Sequence, residues 1–247
     1  MKIRFDDVSL RYGMFGRGVS ALHRINLEIP DGRVCGLLGR NGAGKSSLLS
    51  LIAGLRRPSG GRVRVDGEIP FENRRIMSEV SYIGSHFSDR WSYLSARDLL
   101  RLAGAVRPDW DQVYADELID LFQVPRRRRL SSYSTGQRAA FYFVLGFAGR
   151  SPITILDEVG LGMDAVLRER LIQEILRDLA AHPRTLIIST HYISEAERLF
   201  DQVVILDRGQ IALCEEADDL RAEHGSINDA FIKLTKGSRV LKEASDE

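Results

Sequence analysis

The chain opens on an alternation. Across residues 2–10, Ile3, Phe5 and Val8 are set against Lys2, Arg4 and Asp7, the two-residue period of a strand with one buried face. A glycine-rich turn at Gly13, Gly16 and Gly18 follows. Residues 25–29 alternate again and stop at Pro30-Asp31-Gly32, a turn sequence. Residues 33–38 carry an apolar run of buried-strand length, residues 39–46 a glycine-rich loop, and residues 47–53 a helix. Strands are predicted at 60–65 and 80–83.

From residue 95 to about 150 the period changes. Leu99, Leu100, Leu102 and Ala103, then Leu118, Leu121 and Phe122, recur at helical spacing, so a helical block interrupts the α/β pattern. The pattern then returns: a buried strand at 153–156, an amphipathic helix at 166–180, a strand at 185–189 and a helix at 194–200. A hairpin is predicted at 203–206 and 210–213, around Asp207-Arg208-Gly209, and a charged helical tail begins at 218. No repeat and no long linker is visible.

Composition narrows the class. The 247 residues are 44% hydrophobic and 28% charged, enough for one sizeable core or two small ones. Lys+Arg (35) nearly balances Asp+Glu (34), which argues against a nucleic-acid coat. Two cysteines, Cys35 and Cys214, exclude a disulfide scaffold and suit a reducing compartment. The longest apolar stretch without a charge, 139–149, is about 11 residues, and a membrane span needs roughly 18 or more. The opening MKIRFDDVSLRYG lacks the apolar centre of a signal peptide. The expectation is a soluble, intracellular α/β protein.

The candidate chemistry begins at Gly39-Arg40-Asn41-Gly42-Ala43-Gly44-Lys45-Ser46, which fits G-x-x-x-x-G-K-[ST] between a predicted strand and a predicted helix. Glycines there let backbone N–H groups turn inward around a phosphate chain, and the helix start adds a positive dipole end. Lys45 can reach the β- and γ-phosphates, and Ser46 can ligate Mg²⁺. Ile153-Thr154-Ile155-Leu156-Asp157-Glu158 is an apolar strand ending in acids, which puts carboxylates at the carboxyl end of the sheet. Asp157 would hold Mg²⁺ through water, and Glu158 suits the polarisation of an attacking water as general base. By itself such a strand could equally end at solvent. Between the two lies Tyr133-Ser134-Thr135-Gly136-Gln137 before a helix, where Ser134 could simply be an N-cap.

In this order the segments resemble an ABC-type ATPase, the nucleotide-binding subunit of an ATP-binding cassette transporter, whose signature reads L-S-G-G-Q; Ser134 and Gly136 match it. The resemblance covers nearly the whole chain. It implies an α/β fold: a P-loop NTPase (RecA-like) core with an antiparallel β subdomain and an inserted helical subdomain. Residues 1–247 would form a single ABC ATPase domain: core and β subdomain at 1–84 and 151–217, helical signature subdomain at 85–150, C-terminal helical tail at 218–247.

The resemblance also implies ATP and Mg²⁺ as cofactors and assigns a site. Gly39, Asn41, Gly42, Ala43, Gly44, Lys45, Ser46 and Ser47 would surround the phosphates, and Tyr12 would stack on adenine, although a strand-end tyrosine can also pack on a core. Ser134, Gly136 and Gln137 would bind the γ-phosphate held by another subunit, and Asp164, after Met163, falls in the family's dimer-contact loop. Glu158 and His191, the latter in Ser189-Thr190-His191, would be catalytic, and Ser46, Asp157 and Ser85 would serve the metal. Three features depart from the family pattern. Ser85 stands where a glutamine is usual, with a much shorter reach, Val159-Gly160-Leu161-Gly162-Met163-Asp164 replaces Pro-Thr-Ser-Gly-Leu-Asp, and Tyr133 and Thr135 differ from the commonest signature.

The partners implied are a second ABC ATPase subunit, the same or different, closing head-to-tail around two ATP, and an integral-membrane permease; no nucleic acid is expected. The location implied is peripheral, at the cytoplasmic face of the cell membrane. RPDWDQ, YSTGQ and SINDAFIKLTKG are similar to bacterial exporter-type cassettes for drugs, peptides or lipids. A regulatory cassette with weak turnover and a non-transport ABC ATPase stay as alternatives. The run Arg126 to Arg129 reads as a solvated loop or as a contact to anionic headgroups; Phe141, Tyr142, Phe143 and Phe147 as core; Trp91 and Tyr93 as local packing or partner contact.

Overall fold

The computed structural model describes residues 1–13, 18–84 and 91–243. Gly16 of the predicted turn and Ser85 of the predicted metal set lie outside them.

Two sheets form. The smaller is antiparallel, in the order β2 (Val19–Ile29), β1 (Ile3–Tyr12), β4 (Gly60–Val65). The larger runs β5 (Val80–Gly84), β6 (Ile153–Asp157), β7 (Thr185–Ser189), β3 (Val34–Leu38), β8 (Gln202–Asp207), β9 (Gln210–Glu216); all its pairs are parallel except β8 with β9. Every residue of β3, β6 and β7 is buried, as expected of parallel strands covered on both faces.

Strand alternation divides those residues between two cores. Cys35, Leu37, Ile153, Ile155 and Ile187 pack with the small sheet and with α1 (Lys45–Ile52). Val34, Leu38, Leu156, Leu186 and Ile188 pack on the other face, with α5 (Thr135–Phe147) and α6 (Ala165–Ala181). The remaining helices are α2 (Arg74–Glu79), α3 (Ala96–Val106), α4 (Gln112–Leu121), α7 (Ile193–Ala196), α8 (Ala217–His224) and α9 (Ile227–Glu243).

The helical block is α3, α4 and α5, each opened by a side-chain cap. Ser95 and Asp98 form a capping box, Asp111 accepts from the Tyr114 N–H at 2.9 Å, and Ser134 pairs reciprocally with Gln137. Phe141, Phe143 and Phe147 are fully buried, with Phe143 stacked on Phe147 at 4.2 Å, so these three are core, while Tyr142 is half-buried. Arg150 ties the block to α6: its guanidinium bonds Asp111 at 2.9 Å and also Asp178, and lies over the Tyr114 ring at 4.0 Å. Arg126 pairs with Asp116 and Asp120, while Arg127, Arg128 and Arg129 are exposed.

Several boundaries differ from expectation. β2 starts at Val19, not 25, because register shifts and the left-handed Arg24 (φ 50°) break its alternation. The first helix starts at Lys45, not 47, and β6 runs one residue further, through Asp157. Helix α2 was not expected; at six residues, opened by the Asn73 cap, it is too short to show a period. The helix expected over 194–200 is α7 followed by a 3-10 turn at Glu197–Leu199. Gly225 (φ 81°) divides the tail into two helices.

Candidate nucleotide-binding site

The loop from Gly39 to Gly44 joins the carboxyl end of β3 to α1. Two glycines are required by approach as well as torsion: a Cβ on Gly39 would lie 2.5 Å from the Leu206 carbonyl oxygen, and one on Gly44 (φ +107°) 2.7 Å from that of Ala21. Inside the loop the Ala43 N–H donates to the Arg40 carbonyl at 3.0 Å. The N–H groups in the first turn of α1 have no partner within the helix, which makes a helix start of this kind a ready anion site. Lys45 is 5% exposed, and its ammonium donates to the Gly39 carbonyl at 2.8 Å. It lies 3.7 Å from Glu158 Oε1. Burial pushes its pKa down, against the opposing pull of Glu158 and Asp157. Ser46 is exposed at the same turn. The Tyr12 hydroxyl meets Ser47 Oγ at 2.9 Å, and the Arg56 guanidinium lies 4.6 Å over the Tyr12 ring.

The acids arrive from the neighbouring strand. Asp157, 1% exposed, is paired in register with Gly84 of β5 and Ser189 of β7. Its two oxygens accept separate hydroxyls, Tyr82 on Oδ2 and Ser189 on Oδ1, both at 2.8 Å. Burial, and then the negative charge of Asp157, push the Tyr82 phenol up, so it stays a donor. By sequence Tyr82 reads as part of a strand; the signal that could find it is a phenol within a short, largely apolar strand. Glu158 follows in the left-handed region (φ 57°), with its N–H donating to the Ser189 carbonyl at 2.9 Å. That turn aims its carboxylate at His191, Nε2 to Oε1 at 2.8 Å. Lys45, Asp157, Glu158 and His191, far apart in sequence, thus converge at the carboxyl ends of β3, β6 and β7.

The signature residues sit apart. Ser134 Oγ accepts from the Gln137 N–H at 3.2 Å, and Gln137 Oε1 accepts from the Ser134 N–H at 3.2 Å, so both serve the cap of α5. Asp164 likewise caps α6, accepting from the Leu167 N–H at 2.8 Å. A Cβ on Gly136 would lie 2.6 Å from the Gly162 carbonyl oxygen, which seats the signature turn on the loop after Glu158. Among the described residues no hydrogen bond or ion pair joins Ser134, Gly136 or Gln137 to the phosphate loop.

The donor set suits a magnesium nucleotide. No group of three or more His, Cys, Asp or Glu that could hold a metal exists among the described residues. One hydroxyl (Ser46) and one carboxylate (Asp157) are hard oxygen donors, the kind that hold Mg²⁺ together with substrate phosphates and water. Behind the site, between β5 and the helices α3 and α5, an apolar cavity of about 390 Å³ is lined by Trp91, Leu99, Leu102, Val106, Tyr142 and other residues. Trp91 and Tyr93 are exposed, 47% and 61%. No helix among the described residues is long and apolar enough to cross a membrane.

A phosphate loop on a parallel sheet, with an acid pair and a histidine at the strand ends, defines a nucleotide-hydrolysing P-loop fold. The family model described as ABC transporter matches residues 22–159. The chain is 29% identical over 216 residues to the ABC transporter ATP-binding protein YtrB of Bacillus subtilis, covering 87% of this chain and 73% of that one. It is 30% identical over 214 residues to the daunorubicin/doxorubicin resistance ATP-binding protein DrrA of Streptomyces peucetius (85% and 64%). It is 32% identical over 243 residues to the methionine import ATP-binding protein MetN 2 of Pseudomonas syringae (93% and 69%). A solved ATP-binding subunit of an ABC transporter superposes with a TM-score of 0.80 at 25% identity, covering 95% of this chain and all of that one. The chain belongs to the ABC transporter family, as an ATP-binding ATPase subunit.

Proposed function

We propose that this subunit hydrolyses ATP at the site formed by Lys45, Asp157, Glu158 and His191, as a dimer closed around nucleotide, and drives a separate membrane permease in export of a drug, peptide or lipid. The single observation that carries the reaction is the Glu158–His191 contact at 2.8 Å, 3.7 Å from the Lys45 ammonium. In the reaction Lys45 leaves the Gly39 carbonyl for the β- and γ-phosphates, and the α1 N–H groups hold the same chain. Tyr12 would stack on adenine through the ring face opposite the one that Arg56 covers. Glu158 orients and polarises the attacking water, and His191 contacts the γ-phosphate. Ser46 and Asp157 would hold Mg²⁺, which when bound neutralises charge on the phosphates.

Dimerisation completes the site. Ser134, Gly136 and Gln137 lie at a helix start, a natural anion seat, and among the described residues make no hydrogen bond or ion pair with their own phosphate loop. A second subunit's loop is the fitting partner, and loss of the γ-phosphate removes the contact that holds the pair closed. The solved cassette MJ0796, which has the same fold (TM-score 0.76, 20% identity, covering 87% of this chain and 98% of that one), is described as dimeric and bound to ADP and Pi. The apolar cavity flanked by Trp91, Leu102 and Val106 suits a helix from the permease, which would hold the subunit at the cytoplasmic face of the membrane. The single ABC domain would comprise the core at 1–84 and 151–217, the helical insert at 85–150 and the tail at 218–247.

Export rests on RPDWDQ and SINDAFIKLTKG and on the likeness to DrrA, while MetN 2 is an import protein of similar identity. The test is reconstitution with the co-purified permease in vesicles. Mg²⁺-dependent turnover abolished by Glu158→Gln supports the site; ATP-driven movement of cargo away from the membrane face that carries the ATP-binding subunit supports export. Turnover unaffected by Glu158→Gln overturns the site, and movement of cargo toward that face overturns the direction.

A further inference from the structure

Arg168, in the first turns of α6, makes contacts that the reaction scheme does not use. Its Nε and one terminal nitrogen form a two-point pair with both oxygens of Glu195, at 2.8 and 2.9 Å. Its other terminal nitrogen donates to the Met163 carbonyl at 2.6 Å. Its guanidinium plane lies over the Tyr192 ring, 4.0 Å from the centroid. The Arg168 side chain is 15% exposed and that of Glu195 34%.

These contacts join two loops. Met163 ends the segment that starts at Glu158 and precedes Asp164. Tyr192 directly follows His191, and Glu195 lies in α7. Gly160, midway in the first loop, packs against both sides of the joint: a Cβ there would lie 3.2 Å from Arg168 Cδ and 3.7 Å from a Tyr192 ring carbon. One guanidinium therefore fixes the exit of the Glu158 loop against the exit of the His191 loop. The two catalytic side chains stand at the entrances of those same loops.

We propose that Arg168 is a positioning residue for hydrolysis, holding Glu158 and His191 in register. Three directional contacts to one planar group restrict both loops at once, which a single ion pair does not. The inference rests on the reading of Glu158 as the base.

The experiment compares Arg168→Met, Glu195→Gln and the swapped pair Arg168→Glu/Glu195→Arg with the unaltered protein. ATP dissociation constant, kcat and melting temperature are measured for each, and Glu158→Gln is run beside them. Arg168→Met is expected to leave ATP affinity within about twofold and to lower kcat about tenfold or more, the scale of a misplaced reacting group. Glu195→Gln keeps the Met163 and Tyr192 contacts and is expected to lose less. The swap restores the ion pair, but glutamate at 168 cannot donate to the Met163 carbonyl. It should regain melting temperature without regaining kcat. A swap that recovers both, or an Arg168→Met variant with native kcat, overturns the proposal. If Arg168→Met cannot be purified folded, Glu195→Gln and the swap carry the same decision. A fully active Glu158→Gln would overturn the reading of the base instead, and the Arg168 data would then show whether the two loops matter without it.

Discussion

Glu158 and His191 meet at 2.8 Å although they leave from the ends of two different strands. Their closeness follows from the register of β6 and β7, in which Asp157 pairs with Ser189, so the residues just past each strand emerge side by side. Glu158 then turns through a left-handed torsion that few non-glycine residues adopt. Backbone strain of this kind is retained where the surrounding structure fixes it, here by the bond from the Glu158 N–H to the Ser189 carbonyl.

Glu158→Gln keeps the shape of the side chain and removes the carboxylate proposed as the base. Turnover should fall by at least about 100-fold, the usual contribution of a positioned general base. ATP binding should persist, and dimers should accumulate on adding ATP. Single-turnover kinetics and size-exclusion chromatography check this; native turnover in the variant would remove Glu158 from the role.

Lys45 gives a pH dependence with a defined sign. Burial lowers its pKa, so its ammonium loses the proton earlier on a rise in pH than an exposed lysine would. The charged form binds phosphate, so ATP affinity should fall as pH rises through a point below the ordinary lysine range. Stability without nucleotide should rise over the same interval, because the unfolded chain binds the proton more tightly. Lys45→Ala should weaken ATP binding about tenfold to a hundredfold at neutral pH, the worth of a charge-assisted hydrogen bond, and should remove the pH effect. Calorimetric titration across pH decides it; a flat affinity up to alkaline pH contradicts the assignment.

Tyr82→Phe deletes one hydroxyl from a buried carboxylate. Asp157 would keep Ser189 and lose its second donor, at a cost of roughly 1–3 kcal/mol. A lower melting temperature is expected, together with a shifted Mg²⁺ concentration for half-maximal turnover, since Asp157 would hold the metal in a less fixed orientation. An unchanged Mg²⁺ dependence would confine Tyr82 to stability.

Gly136→Ala places a methyl 2.6 Å from the Gly162 carbonyl oxygen, a backbone atom that cannot swing aside. The strain should cost about 1–3 kcal/mol. It should also separate the signature turn from the Glu158 loop, so ATP-dependent dimerisation in a Glu158→Gln background should weaken while ATP binding by the single chain stays near native. Sedimentation with and without ATP reads the difference.

The parts legible in the sequence are those whose cause is local. The loop from Gly39 to Ser46 is specified by glycine torsions and a helix start within eight residues. Ser134 caps α5 through a bond that spans three residues, and the buried strands announce themselves as apolar runs. Where local order is broken the reading shortened: the bulged start of β2, and α2, which is too brief for a period.

Contacts across the sheet were decided only by the tertiary structure. Tyr82 reaches Asp157 across 75 residues, and Ser189 reaches it across 32. These depend on β5, β6 and β7 lying adjacent and in one register, and no residue pattern within a strand states which strand will be its neighbour. The same holds for Arg168, whose partners at 163, 192 and 195 come together only when α6 packs under both loops. The sequence by itself determined the glycine-rich loop and the helix start after it, because their geometry is set by backbone torsions of adjacent residues. The fold decided which acids, hydroxyls and cations face one another, because that requires burying two cores on opposite faces of one sheet.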